Sequence, residues 1–287
     1  MDNDYKKVLY INFDALTYEF KIHEDLYSYV GGMGVGHKIL FDNIDLPVIV
    51  LSTGPLSGYF PYVSKANLSY INKNKIVDMY GGGNIASLMN MSHIDAIVIT
   101  KDDSSYVHAD IFSQDISFSV YEKREFEKMS ADFAFDETGA CSQNYFSFGG
   151  LSGINPFKNG GCSISIKSTE SIDLIDFFEY EKLYEKALND YRLVTEEPRN
   201  NPSCLGCPLG CDKSNLGEED SNIAVLPRCL ISCAYAEDLY NSIPHVYACL
   251  SSIGYNYRHN DLERLPDLVG DLKARINQKL EDRSASS

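Results

Sequence analysis

Short segments in which apolar and polar residues alternate occupy the first 168 residues of the chain, and turns rich in glycine separate them. Alternation with a period of two predicts β-strands. Strands are predicted at residues 8–13, 17–22, 47–52, 62–65, 75–78, 94–99, 107–112, 116–121 and 163–166. Helices are predicted at residues 24–45, interrupted by a glycine run at 31–36, and at residues 85–93. Helix and loop are expected over residues 122–144.

From residue 172 the apolar period becomes helical. The residues that mark a long amphipathic helix are Phe177, Tyr180, Tyr184, Leu188 and Tyr191. A polar loop is predicted at 216–222, short helices at 230–236 and 243–253, a last helix through 262–280, and a frayed tail at 283–287. The sequence therefore predicts an α+β protein, with a β-rich domain over residues 1–170 and a helical domain over residues 171–287.

Charge and composition exclude several classes of function. The chain of 287 residues has a net charge of −16 and shows no basic stripe, which argues against a nucleic-acid partner. No apolar run reaches the length that spans a bilayer, so no membrane partner is expected. Because no apolar segment follows the first residues, we expect no signal peptide and a cytoplasmic location.

A loop at residues 202–212 carries three of the eight cysteines. Cys204, Cys207 and Cys211 follow the spacing C-x₂-C-x₃-C, and glycines and prolines between them favour sharp turns. Such a loop directs several sulfurs at a volume that suits an iron–sulfur cluster or a zinc ion, and three thiolates leave either site one ligand short. The three cysteines are therefore predicted metal ligands.

The fourth ligand is open at this point. Cys229 and Cys233 are separated by four residues, so on a helix they would share one face and could both point at the cofactor. Cys249 or a residue of a partner are the other candidates, while Cys141 and Cys162 are expected to be structural. His245 could donate a hydrogen bond to a sulfur or relay a proton.

Other motifs indicate little chemistry. The glycine run at 31–36 matches no nucleotide-binding fingerprint, and no histidine lies near a Gly-x-Ser-x-Gly turn. His93 is expected to cap the C-terminus of the helix that precedes it.

Several landmarks in order resemble the tungsten-containing aldehyde ferredoxin oxidoreductases, over roughly residues 8–257. They are FDNID at 41–45, TGPLSG at 53–58, VSK at 63–65, GG at 81–82, HIDAIVI at 93–99 and CLGCPLGC at 204–211. The resemblance implies a β-rich base that cradles a bis-pterin tungsten or molybdenum cofactor, and a helical region that holds a [4Fe–4S] cluster. It also implies oxidation of an aldehyde, with electrons leaving to ferredoxin.

The chain departs from the family pattern where the pterin would bind. No arginine lies between Gly58 and Val63, no Arg or Lys lies in residues 148–155, and Tyr80 stands where the family has a metal-binding asparagine. Anionic pterin phosphates would lack these cationic partners, so no tungstopterin or molybdopterin is expected.

Two hypotheses follow. In the first, the protein is an iron–sulfur oxidoreductase of this family that transfers electrons through a [4Fe–4S] cluster to ferredoxin or to a companion subunit, alone or as an oligomer. In the second, it is a non-catalytic scaffold whose cysteine loop is a structural metal clip, held by zinc or iron–sulfur.

Overall fold

The computed structural model describes residues 4–149, 160–168, 174–190, 199–216, 218–219 and 223–286. The strands are β1 (Lys6–Asn12), β2 (Thr17–His23), β3 (Val48–Ser52), β4 (Ala66–Asn72), β5 (Lys75–Gly81), β6 (Ala96–Thr100), β7 (Tyr106–Phe112), β8 (Asp115–Tyr121), β9 (Phe133–Asp136), β10 (Gly139–Ser142), β11 (Phe146–Ser147), β12 (Gly161–Lys167) and β13 (Glu218–Glu219). The α-helices are α1 (Gly32–Asp42), α2 (Ile85–Met91), α3 (Lys123–Phe126), α4 (Phe177–Asn189), α5 (Lys213–Leu216), α6 (Val225–Leu230), α7 (Glu237–Tyr240), α8 (Ile243–Ser252) and α9 (His259–Ser286). The α+β class predicted from the sequence is confirmed.

The strands form two mixed sheets. The first has the order β13-β5-β4-β3-β6-β1-β2, and the second has the order β11-β10-β9-β12-β7-β8. Each sheet contains one parallel pair, β1 with β6 in the first and β7 with β12 in the second. Antiparallel pairs make up the remaining pairings of the two sheets.

Alternation along the central strands of the first sheet divides the protein into three layers. Leu9 and Ile11 of β1 point into a core that also contains Phe133 and Ile164 of the second sheet. Val8 of β1 and Val50 of β3 point the other way, into a core shared with the helices. Because both faces of the first sheet are covered, all five residues of β3 are buried.

The glycine run lies in the first turns of α1 and allows this helix to approach α6. A Cβ on Gly32, whose φ is +42°, would lie 2.5 Å from the carbonyl oxygen of Arg228. A Cβ on Gly34 would lie 2.3 Å from the carbonyl oxygen of Tyr29. Contacts this short exclude a side chain, so glycine is needed for packing. The predicted interrupted helix over 24–45 was wrong, because α1 begins only at Gly32.

The C-terminal helices complete the third layer. Six residues of α9 on one face are fully buried, as the apolar pattern predicted: Leu262, Leu265, Val269, Leu272, Ile276 and Leu280. They share a core with α1 and with the first sheet. The division of the chain into two domains at residue 170 stays a prediction. None of the described helices is long and apolar enough to cross a membrane.

Three predicted boundaries were wrong for physical reasons. Residues 62–65 are not a strand, because Tyr62 has a positive φ of 66° and the chain becomes extended only at Ala66. The expected tail at 283–287 is helical through Ser286, and Arg283 donates a hydrogen bond of 2.7 Å to the carbonyl oxygen of Ile44. The predicted helix at 230–236 is broken, because α6 ends at Leu230 and Ile231 adopts a left-handed conformation.

Short strands were missed in two regions. The region expected as helix and loop contains β9 and β10, whose buried Phe133 and Phe135 pack between the sheets. The loop expected at 216–222 contains β13, which pairs with β5 opposite Met79 and Tyr80. Of the long helix expected from residue 172, the structure shows α4, and residues 169–173 and Tyr191 lie outside the described residues.

Candidate metal centre

The cysteine loop turns sharply at two glycines. Gly206 and Gly210 have φ angles of +74° and +54°, a region that residues with a side chain rarely adopt. At the first of these turns, the backbone N–H of Cys207 donates to the carbonyl oxygen of Cys204 at 3.0 Å. The C-x₂-C spacing therefore places Cys204 and Cys207 on the same side of the loop.

The loop is docked on the first sheet. Leu205 donates its backbone N–H to the carbonyl oxygen of Gly83 at 3.1 Å and accepts a hydrogen bond from the Ser64 hydroxyl. A Cβ on Gly82 would lie 2.4 Å from the sulfur of Cys204, so only glycine leaves room for this thiol. The glycine pair at 81–82 and the VSK segment at 63–65 therefore contribute to the surface on which the loop packs.

A polar clamp holds the outer side of the loop. Asp212 pairs with Arg199 and accepts a hydrogen bond of 2.8 Å from the amide of Asn201. Ser214 donates its hydroxyl to the carbonyl oxygen of Pro202 at 2.7 Å. These bonds join the residues before the first cysteine to those after the third, so the loop has a fixed geometry without a disulfide.

Four cysteines line one pocket beneath the loop: Cys204, Cys207, Cys211 and Cys233. This cysteine pocket is small, with a cavity volume of about 10 Å³. Cys233 reaches it because the chain reverses at Ile231, after which the N–H of Cys233 donates to the carbonyl oxygen of Tyr62 at 2.8 Å. Tyr62 and Lys65 line the same pocket.

The structure separates the other predicted cysteines from this pocket. Cys229 is fully buried, and its sulfur packs against Gly34 of α1. The prediction that Cys229 and Cys233 share a helix face was wrong, because the break at Ile231 lies between them. Cys249 is buried among the helices, with its sulfur 3.6 Å from His245. Cys141 and Cys162 lie in the second sheet.

Burial and charge act in opposite directions on the thiols of the pocket. Burial raises the pKa of the Cys204 thiol and raises that of Cys207 to about 12. The ammonium group of Lys65 opposes this shift by lowering the pKa of both thiols. As a free thiol, Cys207 is therefore protonated at pH 7, and metal binding would displace its proton.

Backbone N–H groups point at three of the four sulfurs. Gly83 and Leu209 stabilise the thiolates of Cys204 and Cys207 in this way, and each contact lowers the pKa of its thiol. The N–H of Tyr235 donates to the sulfur of Cys233 at 3.4 Å. Such bonds to sulfur stabilise the charged form and orient the ligands of iron–sulfur sites.

The donor set fits a cofactor held by thiolates. Four cysteines and a buried lysine line one pocket, and backbone N–H groups point at three of the sulfurs. Such surroundings stabilise a net negative cluster. In the described part of the chain, no group of three or more histidine, cysteine or acidic side chains is placed to hold a single metal ion. In the sequence, Lys65 belonged only to the VSK landmark at 63–65. The structure buries it beside Cys204 and Cys207, a position that the sequence did not indicate.

The residues on which the cysteine loop packs belong to a segment that is similar to a known protein domain. The model of the aldehyde ferredoxin oxidoreductase N-terminal domain matches residues 8–133. Residues 8–133 are therefore similar to the N-terminal domain of the aldehyde ferredoxin oxidoreductases. They contain the glycine pair and the VSK segment on which the cysteine loop is docked.

One solved structure resembles the chain beyond residues 8–133. It is described as the active site complex BamBC of benzoyl coenzyme A reductase in complex with 1,5-dienoyl-CoA. The TM-score is 0.51 at 13% sequence identity, and the likeness covers 99% of this chain and 64% of that chain. At this identity it concerns the fold alone, and it extends the shared fold into the helical residues and the cysteine loop.

A buried polar network occupies the site of Tyr80, where the resemblance to the oxidoreductases suggested an asparagine. The Tyr80 hydroxyl donates to Asp78 at 3.1 Å and accepts a hydrogen bond of 2.9 Å from Nε of Arg228. Arg228 also forms an ion pair with Asp78, and Asn67 donates to the same carboxylate. The network ties α6 to the first sheet and so fixes the chain reversal that precedes Cys233.

His93 and His245 have structural positions. His93, with a φ of +51°, follows α2 and donates its N–H to the carbonyl oxygen of Asn90 at 3.0 Å, in agreement with the predicted cap. His245 does not line the cysteine pocket; its ring lies 5.9 Å from that of Tyr240. Its contact with a sulfur is to Cys249 rather than to a predicted metal ligand.

His245 should make the fold sensitive to acid. Burial lowers its pKa to about 4, and Lys186 lowers it further while Asp190 opposes the shift. The unfolded chain, with a pKa near 6.5, binds a proton that the folded chain excludes, so this stability is present above pH 6.5 and lost as the pH falls towards 4. The loss amounts to about 3 kcal/mol. Across this range, urea denaturation of His245→Gln should show a free energy of unfolding that changes less with pH than in wild type. Exposed His259→Gln should keep the pH dependence of wild type.

Proposed function

We propose that this protein is an iron–sulfur oxidoreductase of the aldehyde ferredoxin oxidoreductase family that transfers electrons through one [4Fe–4S] cluster. Cys204, Cys207, Cys211 and Cys233 are its ligands. The observation that carries the proposal is that these four thiols, of the eight in the chain, line one pocket. Among the candidates Cys229, Cys233, Cys249 and a partner's residue, the proposal therefore takes Cys233 as the fourth ligand.

The chemistry of the surroundings supports a redox role. A [4Fe–4S] cluster supplies one-electron transfer when bound. Lys65 places a positive charge beside Cys204 and Cys207, and the N–H groups of Gly83, Leu209 and Tyr235 point at three sulfurs. All of these contacts stabilise negative charge. They therefore favour the reduced state of a cluster, which carries one more negative charge than the oxidised state.

Removal of the Lys65 charge should lower the reduction potential. In Lys65→Met the reduced state loses a stabilising charge, and a loss of about 1 kcal/mol corresponds to about 40 mV for one electron. The potential, measured by dithionite titration followed in the visible spectrum, should become more negative by at least this order. Exposed Lys182→Met is the matched control. An unchanged potential in Lys65→Met would show that the lysine has a purely structural role.

The electron partner and the reaction belong to the same proposal. The structural neighbour is part of a multi-subunit complex, which favours a companion subunit, and ferredoxin is the alternative. An aldehyde or a related small substrate would be oxidised only if a second redox centre were present. The proposal includes no tungstopterin or molybdopterin, because residues 59–62 contain no arginine and Tyr80 engages Asp78 and Arg228. Eight free thiols favour a reducing, cytoplasmic location.

The competing function is a scaffold with a structural metal clip, which the docking of the loop on Ser64 and Gly83 favours. The two functions differ in reducibility. Protein purified without oxygen should show a broad visible absorbance that bleaches with dithionite, together with an electron paramagnetic resonance signal of the reduced cluster. A colourless protein that unfolds when a chelator removes its metal would support the structural clip and contradict electron transfer.

A further inference from the structure

A second cavity lies between the β4–β5 hairpin and α9, at the other end of β5 from the cysteine loop. Its volume is about 480 Å³. Lysine and asparagine side chains from both elements line it, among them Lys73, Asn74, Lys75, Lys273 and Asn277. We name it the lysine cavity. It lies at the Lys75 end of β5, and the cysteine loop lies at the Gly81 end, about 20 Å away along an extended strand.

The lysine cavity concentrates positive charge in an acidic protein. Lys73, Lys75 and Lys273 are exposed, and none forms an ion pair with any residue that the structure describes. The whole chain carries a net charge of −16, so three cations around one space stand out against the surface. Asp78 is a carboxylate of the lining, and Arg228 neutralises it.

A buried histidine lies at the inner end of the cavity. His37 belongs to α1 and is fully buried, yet neither of its ring nitrogens has a hydrogen-bond partner among the described residues. An oxygen of Asp78 lies 3.7 Å from Nε2 of His37, which is beyond hydrogen-bond distance. An unpartnered buried imidazole is costly unless a ligand or a water satisfies it.

The walls of the cavity are fixed by the fold. Lys73 and Asn74 both have positive φ, 47° and 58°, and form the two-residue turn of the hairpin. The amide of Asn74 donates to the hydroxyl of Ser284 at 2.7 Å, which joins the turn to the end of α9. Lys273 and Asn277 are four residues apart on α9 and therefore lie on one face of the helix.

We propose that the lysine cavity binds a small molecule through its phosphate groups. Three lysines match the charge of a polyphosphate better than that of a single carboxylate, and asparagine amides add neutral donors. The imidazole of His37 supplies a further donor at the inner end. Burial and the nearby Arg228 and Lys273 lower the pKa of His37 while Asp78 raises it, so the ring stays neutral at pH 7 and offers one N–H.

The test measures binding of pyrophosphate, ADP and citrate to the full chain by isothermal titration calorimetry. Pyrophosphate should bind at one site per chain, and citrate, a tricarboxylate, should bind more weakly. Tighter binding of ADP would assign the phosphate to a nucleotide, and equal binding would assign it to free polyphosphate. Absence of saturable binding by both phosphate compounds, or tighter binding of citrate, would overturn the proposal.

A matched pair of variants locates the site. Lys73→Gln, Lys75→Gln and Lys273→Gln combined should weaken pyrophosphate binding about tenfold or more. Lys128→Gln, Lys167→Gln and Lys182→Gln combined remove the same charge from exposed positions outside the cavity and should leave affinity nearly unchanged. An equal loss in both variants would show nonspecific attraction and contradict the proposal.

A second readout needs no substitution in the core. Pyrophosphate should shift the ring resonance of His37 in a nitrogen-15 correlation spectrum of the histidines, with the rings of exposed His93 and His259 unchanged. Binding without any shift of a buried histidine ring would place the ligand outside the lysine cavity.

Discussion

Replacement of Cys233 by alanine should abolish the cluster. The substitution leaves three cysteines in the pocket, and a [4Fe–4S] cubane with thiolate at each iron needs four. Iron content after anaerobic purification should fall from about four per chain to well below one, since a cluster with one open iron is readily lost. The visible absorbance should fall in proportion.

Two buried cysteines serve as controls for this result. Cys229→Ala and Cys249→Ala remove thiols that do not line the cysteine pocket, and both should keep full iron content. Each leaves a small cavity in a buried core, so a moderate loss of stability is expected. Loss of iron in Cys229→Ala with full iron in Cys233→Ala would reverse the assignment of the fourth ligand.

Replacement of Arg228 by methionine should cause the largest loss of stability. Methionine fills the volume but leaves the Asp78 carboxylate buried without its cation, and breaking a buried ion pair in this way costs about 3–5 kcal/mol. The Tyr80 hydroxyl also loses its donor. The free energy of unfolding from urea denaturation measures the effect, with exposed Arg258→Met as the control.

A double substitution separates the charge effect from packing. Arg228→Met with Asp78→Asn removes both charges and should recover most of the lost stability, because no uncompensated carboxylate remains. If the double variant is as unstable as the sum of two single variants, the ion pair is not the source of the loss. Because the network fixes the reversal before Cys233, Arg228→Met should also reduce iron content.

Long regular patterns were readable from the sequence. The hairpin β1–β2, the central strand β6 and the buried face of α9 were all predicted, since alternation or helical spacing runs through each of them. β9 and β10, of four residues each, were missed because so short a segment shows little periodicity, and their burial depends on pairing with β12.

The site was readable in part. The spacing of Cys204, Cys207 and Cys211 predicted the loop, because turn-forming glycines and prolines act locally. Cys233 could not be separated from Cys229 without knowledge of the left-handed break at Ile231, where a branched residue gives no local signal. The glycine run at 31–36 matched no nucleotide-binding fingerprint, and the close approach of α6, a tertiary contact, explains it.

The central claim is tested most directly by metal and sulfide analysis of protein purified without oxygen. About four irons and four sulfides per chain, with no zinc, are predicted for a [4Fe–4S] cluster on the four cysteines of the pocket. One zinc per chain with neither iron nor sulfide would contradict the redox function and identify the cysteine loop as a structural clip.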